Sequence, residues 1–317
     1  MEKIGMLKQF KARYYPLLGV DISPTSVKIL EISKHPDKFC VEGYGYEPLP
    51  ANAFETSPDK AVSAIKRLLT QINSSAKFAA IAVPDSTVIS KTIQLVDSLN
   101  DLEIEELIFL EADKYLNYPP DKINIDFIVI GPGKKSLGML DVLLLASRED
   151  NIRKRVDILK DAGLETKIVD IESYAIASVF EQLDSEATRC KLIAVFDISY
   201  ELMRLLVLEN GEIIYTRDDT FASQSNEEAI LQIKRSLQFF FSASHYDCIE
   251  KIYLSGELQE FPELAQKIEQ ETGFLTCVAN PFNQLSLSKN INVMEFTKLA
   301  PLFLVALGLA LRLAHDN

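Results

Sequence analysis

The chain has 317 residues, enough for about two domains, and its 47% apolar and 25% charged content is that of a globular protein with ample core. A formal net charge of −13 argues against a nucleic-acid binder, which presents a basic face. Cys40, Cys190, Cys248 and Cys277 show no CxxC spacing, and His35, His245 and His315 stand apart. The pattern therefore reads as reduced cytoplasmic thiols with surface or packing histidines, not as a zinc site.

Residues 1–16 read as a leader. Met1–Tyr15 has lysines but lacks the apolar stretch of a secretory signal. Ile4, Leu7, Phe10 and Tyr14 fall at helical steps among Lys3, Lys8, Lys11 and Arg13. That spacing suits either a short amphipathic helix for a membrane surface or a packed leader. Leu18–Ile32 (LGVDISPTSVKILEI) is then an apolar run, an acidic turn and a second apolar run, the pattern of a hairpin. Phe39–Tyr46 supplies a third strand, Pro48–Pro58 a loop, Asp59–Ile72 an amphipathic helix and Phe78–Val83 a buried strand.

The rhythm changes after Pro84. Val88–Leu95 reads as a strand, and Asn100 with Glu103 as a cap opening a helix through Leu116, ended by Pro119 and Pro120. Ile123–Ile130 and Met139–Ala146 pair around GPGKKSLG. That stretch has the wrong glycine spacing for a phosphate-binding P-loop and precedes a strand, so it is a hairpin turn. Ser147 is expected to cap a helix that stops at Gly163. The strand–helix–strand–strand–helix block 87–163 is read as a subdomain inserted in a first half made of 17–86 and 164–190.

Glu165–Asp170 is a further strand and Ile171–Leu183 a helix leading to the second half, 191–317. There the opening hairpin returns. Ala194–Leu208 (AVFDISYELMRLLVL) aligns with it without a gap at an offset of 176 (Asp197 minus Asp21), with Lys28 opposite Arg204. Asn210-Gly211 marks a tight turn before the strand Glu212–Arg217. Glu227–Ser242 is helical, Lys251–Leu254 a strand and Phe261–Thr272 a helix, with Ser255-Gly256 at a junction where a ligand can approach backbone. The apolar run Leu299–Leu311 has thirteen residues with Pro301 inside, short of the ~20 needed to span a bilayer, so it reads as a buried helix whose Gly308 permits close packing.

A charged aspartate ending a buried strand costs several kcal/mol unless something binds it, so Asp21 and Asp197 are expected to face a cleft. Short turn residues behind each can offer N–H groups to an anion. Two facing hairpins of this kind are how actin-like proteins grip ATP. The alternative is that both aspartates simply begin polar turns.

The hairpins, with IAVPDSTVISKTI, FLEADKYLNYPPDKINIDF, ILKDAGLETKIVDIESYAIAS, RSLQFFFSAS, VANPF and APLFLVALGLALR in that order, resemble the PilM family of type IV pilus assembly proteins from about Leu17 to Arg312. The resemblance implies an α/β, actin/RNase H-like duplicated fold with an inserted subdomain in the first half. It also implies ATP with Mg²⁺ between the halves, and a cytoplasmic protein held at the inner-membrane face through its partners. Those partners are the tail of a PilN-like protein, held between the first half and the inserted block, and the pilus platform and motor. By position, Asp21, Ser23, Thr25, Lys28, Asp197, Ser199 and Gly256 match nucleotide-binding residues, and Asp21 and Asp197 would hold Mg²⁺ through water.

The chain departs from that pattern where ATP would sit. Ser23-Pro24 stands where the first turn has glycine, and Pro24 has no N–H to donate. Ser199-Tyr200 replaces Gly-Ala, and Glu257 follows Ser255-Gly256 in place of a second glycine. TFASQSNEEAI runs almost directly into RSLQFF, so the upper part of the second half is expected to be truncated. The reading adopted is a scaffold coupling the inner-membrane pilus platform to the motor, its phosphate and adenosine motifs degraded. The alternative is an ATP- and Mg²⁺-dependent switch in which Glu172 positions an attacking water. Glu172 otherwise reads as a first-turn glutamate favoured by the helix dipole. A sugar or acid kinase on the same fold is a third class, for which no substrate-positioned base is found.

Overall fold

A computed structural model describes residues 17–35, 38–116, 122–133, 137–183, 191–199, 201–222, 225–261 and 263–315. The leader 1–16, Tyr200 and Cys190 lie outside the described residues. The chain divides into two compact units, one of Met1–Ala82 with Ile158–Asn317 and one of Val83–Asp157.

The first unit opens with β1 (Leu17–Ile22), β2 (Ser26–Lys34), β3 (Phe39–Pro48), the one-turn α1 (Ala53–Thr56), α2 (Pro58–Gln71) and β4 (Phe78–Val83). The second unit holds β5 (Val88–Val96), α3 (Asp101–Leu110), the one-turn α4 (Ala112–Tyr115), β6 (Ile123–Pro132), β7 (Met139–Arg148) and most of α5 (Glu149–Asp161). The first unit resumes with β8 (Glu165–Ile171), α6 (Glu172–Leu183), β9 (Leu192–Ile198), β10 (Leu202–Glu209), β11 (Glu212–Thr220) and α7 (Asn226–Ala243). It ends with β12 (Lys251–Gly256), α8 (Leu264–Thr272), β13 (Leu275–Val278), the two-residue β14 (Ser286–Leu287), α9 (Val293–Leu299) and α10 (Leu304–His315).

Duplication is written into the sheet orders, β14-β3-β2-β1-β4-β8 and β11-β10-β9-β12-β13. With β14 set aside, both run third, second, first, fourth, fifth. In each, the first three strands are antiparallel and the fourth is parallel to the first. The helices match too: α2 and α7 follow the third strands, α6 and α10 the fifth. The second unit begins at the end of β4 and ends within α5, where the second repeat passes from β12 toward α8. The step from β11 to α7 takes only residues 221–225, leaving no room there for a further subdomain.

Alternation explains why these runs are strands, and continuous apolar stretches explain why the central ones are buried on both faces. Val20, Ile29, Leu30, Val195, Leu206 and Val207 are fully buried. Each such side chain contributes roughly 1.5–3 kcal/mol relative to exposure. Helices α6 and α10 fill the core shared by the two sheets, with Ala175, Ile176, Val179, Leu307 and Ala310 at its centre. They approach so closely that a Cβ on Gly308 would lie 1.9 Å from the Ala175 carbonyl oxygen, which is why a glycine sits there. Val293–Arg312 is long and apolar enough by length and composition to cross a membrane, yet it is mostly buried inside the protein. Its apolarity is accounted for by packing, as the sequence leads one to expect.

The second unit is a three-stranded antiparallel sheet in the order β5-β7-β6. Its own core holds Ile93, Leu95, Ile104, Ile108, Val142 and Leu144. The capping box expected at Asn100 is present: its side chain accepts from Leu102 N and Glu103 N, and Glu103 returns to Asn100 N at 2.9 Å. Three details differ from the sequence reading. The helix expected to run to Leu116 breaks at Glu111, which leaves helical backbone (φ −103°, ψ 14°). Ser147 is not a cap, because β7 runs on to Arg148 and the Ser147 hydroxyl donates across the sheet to Thr87 O. The helix expected from Phe261 starts at Leu264, after a left-handed Glu263.

Candidate functional site

The two repeated hairpins bring their turn residues to the strand ends of the two sheets. In the first, β1 and β2 pair with Asp21 opposite Lys28. The Lys28 ammonium stands 3.0 Å from Asp21 Oδ2, and both residues are buried. Burial alone would lower the Lys28 pKa; the Asp21 carboxylate, and then Asp197 and Glu257, hold it above the usual lysine value. Charges from both halves thus act on one ammonium.

The turn between β1 and β2 engages two of its backbone donors internally. Ser23 N donates to Ser26 O at 2.9 Å, Ser26 N donates to Ser23 Oγ at 3.0 Å, and Pro24 has none to give. Thr25 is anchored through its carbonyl, which accepts from Leu49 N at 2.7 Å.

In the second hairpin, Asp197 accepts a 2.6 Å hydrogen bond from the buried Ser255 hydroxyl, its register partner on the parallel strand β12. Ser199 donates through both N and Oγ to Leu202 O, at 2.8 and 3.1 Å. After β12, Glu257 N donates to Ile198 O at 2.6 Å. Gly256 has φ +91°, and a Cβ there would lie 2.0 Å from the Ile198 carbonyl oxygen. That glycine is required by contact with β9 itself, whatever else approaches the loop.

Arg204 repeats Lys28 in position but not in partner. It lies opposite Asp197 on one side and Asp218 of β11 on the other. Its guanidinium pairs with Asp218 through Nε and Nη2 at 2.9 and 3.2 Å, and Nη1 stands 2.7 Å from Glu172 Oε2 at the start of α6. Arg204 is 1% exposed. Glu172 therefore enters the site as the counter-ion of a buried arginine, not as a carboxylate aimed at solvent.

Asp21, Ser23, Thr25, Lys28, Asp197, Ser199 and Gly256 thus all fall on the two hairpins and the end of β12, while Glu172 sits with Arg204 and Asp218. Reading the sequence missed Asp218 and the pairing of Ser255 with Asp197. Both involve strand neighbours, visible only once the β10–β11 and β9–β12 registers are known. As a fit to Mg²⁺ and a triphosphate, the turns offer two carboxylates, but one is already paired with an ammonium. Ser23 N, Ser26 N, Ser199 N and Glu257 N already donate within the protein.

The chain is similar over 93% of its length to a chain of the solved PilM-PilN type IV pilus biogenesis complex, with 22% identity, a TM-score of 0.78 and 98% of that chain covered. It is also similar to the ethanolamine utilization protein EutJ from Carboxydothermus hydrogenoformans, with 14% identity and a TM-score of 0.54, covering 93% of this chain and 89% of that one. Both likenesses report an actin-like fold. The family model for type IV pilus assembly protein PilM matches residues 19–231 and 225–314, meeting at the start of α7 where the second half is short. Repeated hairpins, duplicated sheet order and a family match along almost the whole chain identify it as a member of the PilM family of type IV pilus assembly proteins.

Proposed function

We propose that this chain is a scaffold of type IV pilus assembly that binds the cytoplasmic tail of a PilN-like inner-membrane protein without needing a nucleotide. The family match supports the machine, and the solved PilM-PilN complex supports the kind of partner. The observation that carries nucleotide independence is that Asp21 is paired with an ammonium and four backbone N–H donors of the two turns and the adjoining loop are engaged within the protein. Lys28 neutralises Asp21, Arg204 holds Glu172, and four backbone donors close on protein oxygens. As they stand, these residues do not fit Mg²⁺ with a triphosphate. Each donor diverted from a charged ligand costs roughly 1.5–3 kcal/mol, so two or more move a micromolar site toward millimolar.

The tail is proposed to dock on Val83–Asp157. Nine of the eighteen exposed large apolar side chains among the described residues fall in that unit. Three of them, Ile128, Val129 and Ile130, are consecutive on β6, an edge of its sheet. An extended apolar peptide can add to such an edge, with backbone bonds for affinity and alternate side chains for specificity. Hydrogen exchange with and without a PilN-like tail peptide tests this, with protection expected at Phe127–Ile130. Protection confined to 191–317 would count against it. The second reading, an ATP-driven switch, draws on Asp21 and Asp197 both acting on the Lys28 ammonium, and calorimetry with Mg-ATP distinguishes it.

A further inference from the structure

The hairpin between β2 and β3 gathers a histidine, a cysteine and a glutamate whose spacing in sequence matches no familiar metal motif. His35 N donates to Lys38 O at 2.9 Å. Ser33 lies directly opposite Cys40. The register then jumps from Ile32↔Val41 to Glu31↔Gly43, leaving Glu42 as the extra residue of a bulge. A bulge re-aims the side chain it carries. Here Glu42 Oε1 accepts from the Ser33 hydroxyl at 2.5 Å, and that hydroxyl also stands 3.2 Å from His35 Nε2. One ligating atom each of His35, Cys40 and Glu42 lie within 4.8 Å of one another.

The geometry points to a divalent transition-metal site of the zinc class formed by His35, Cys40 and Glu42, with a fourth position left for water or a donor from a partner. One nitrogen, one sulfur and one carboxylate oxygen are the donors Zn²⁺ takes, whereas Mg²⁺ and Ca²⁺ take oxygen alone. Tetrahedral bonds of about 2.0–2.3 Å set donor atoms roughly 3.3–3.8 Å apart, so the side chains need close by little more than 1 Å. His35 and Glu42 are exposed and Cys40 half-buried, which leaves the trio open to entry from solvent. A zinc-class ion takes Cys40 as its thiolate, displacing the thiol proton. The site is separate from the cleft: Lys28 and Lys34 are six residues apart on β2, on the order of 20 Å at strand rise. Sequence reading excluded such a site because it looked for paired cysteines or paired histidines. Strand register and a bulge assemble this one instead.

Cobalt(II) is the probe, because a bound thiolate gives it a near-ultraviolet charge-transfer band and tetrahedral coordination a visible one. Metal-stripped full chain is expected to bind one equivalent of Co²⁺ with both bands, and Zn²⁺ to displace it. Cys40→Ser is expected to abolish the charge-transfer band. His35→Ala is expected to weaken affinity by more than the ~10–100-fold that loss of an outer-shell partner costs. Cys248→Ser, in an exposed cysteine outside the trio, should leave both bands and stoichiometry unchanged. Zn²⁺ should also raise the melting temperature of the parent and not of His35→Ala, a readout that does not depend on colour. No saturable band in the parent, or a band that survives Cys40→Ser, would overturn the assignment.

Discussion

Replacing Lys28 with methionine tests whether the cleft is held by its own charges. The Lys28 ammonium and Asp21 carboxylate are 3.0 Å apart with side chains 10% and 8% exposed, so neither partner has water to fall back on. Removing one member of a buried pair costs ~3–5 kcal/mol, mainly because the other is left unpaired. Here the orphaned Asp21 would share the cleft with Asp197 and Glu257, the carboxylates that now help to stabilise Lys28. The expected loss is therefore in the upper part of that range. About 4–5 kcal/mol is roughly a thousandfold to five-thousandfold in the folding equilibrium and, for a unit of this size, roughly 8–20 °C in melting temperature. Lys28→Met/Asp21→Asn removes both charges and should recover most of the loss. Urea and thermal unfolding followed by circular dichroism supply the numbers. The pH dependence has a definite sign. A lysine raised above its unfolded value of 10.5 contributes fully below that pH, and the contribution is lost as pH climbs through the folded value. The parent should thus weaken relative to Lys28→Met only in strongly alkaline solution. A single substitution costing under ~1 kcal/mol, or a double variant no better than the single, would refute the buried-pair reasoning.

Arg204→Met should destabilise by a similar ~3–5 kcal/mol, since it strands Glu172 and Asp218 together, and adding Glu172→Gln with Asp218→Asn should recover part of it on the same melts. Gly256→Ala forces a Cβ onto the Ile198 carbonyl at 2.0 Å with φ +91°, and is expected to lower the melting temperature by several degrees even with no ligand present. Glu172→Gln should leave phosphate release from Mg-ATP at background, as in the parent; parent turnover abolished by this change would give Glu172 the water-positioning role. Val129→Lys on the β6 edge should weaken tail binding at least ~10-fold without changing the melt, because it places a desolvated charge in the proposed interface.

Much of the architecture was legible because it rests on periodicity. The hairpins around Asp21 and Asp197, the strand Phe78–Val83 and the capping box at Asn100 emerge almost where alternation and cap chemistry put them. Element ends were harder to read. Ser147 has the composition of a helix cap, but the pairing of β5 with β7 keeps it in a strand. Glu111 carries good helix propensity yet marks a break, where its carboxylate takes up the Tyr115 hydroxyl and the Lys114 ammonium. The cleft was legible in its aspartates and not in their partners. That Lys28 turns to Asp21 whereas Arg204 turns to Asp218 and Glu172 depends on which neighbouring strand and helix supply a carboxylate. The gapless alignment of the two repeats gave no sign of this difference. For the same reason the His35–Cys40–Glu42 trio is invisible until the bulge at Glu42 is known.

The central claim is that partner binding is independent of nucleotide, and calorimetric titration of a PilN-like tail peptide into the full chain tests it most directly. The titration is run without nucleotide, with saturating Mg-ATP, and with Asp21→Ala and Asp197→Ala variants that remain folded. Tail affinity is expected to agree within about twofold under all four conditions, a difference of only ~0.4 kcal/mol, with no saturable heat from Mg-ATP alone at micromolar concentration. Micromolar Mg-ATP binding that either substitution abolishes, together with tail binding that appears only in its presence, would contradict the account and make the chain a nucleotide switch.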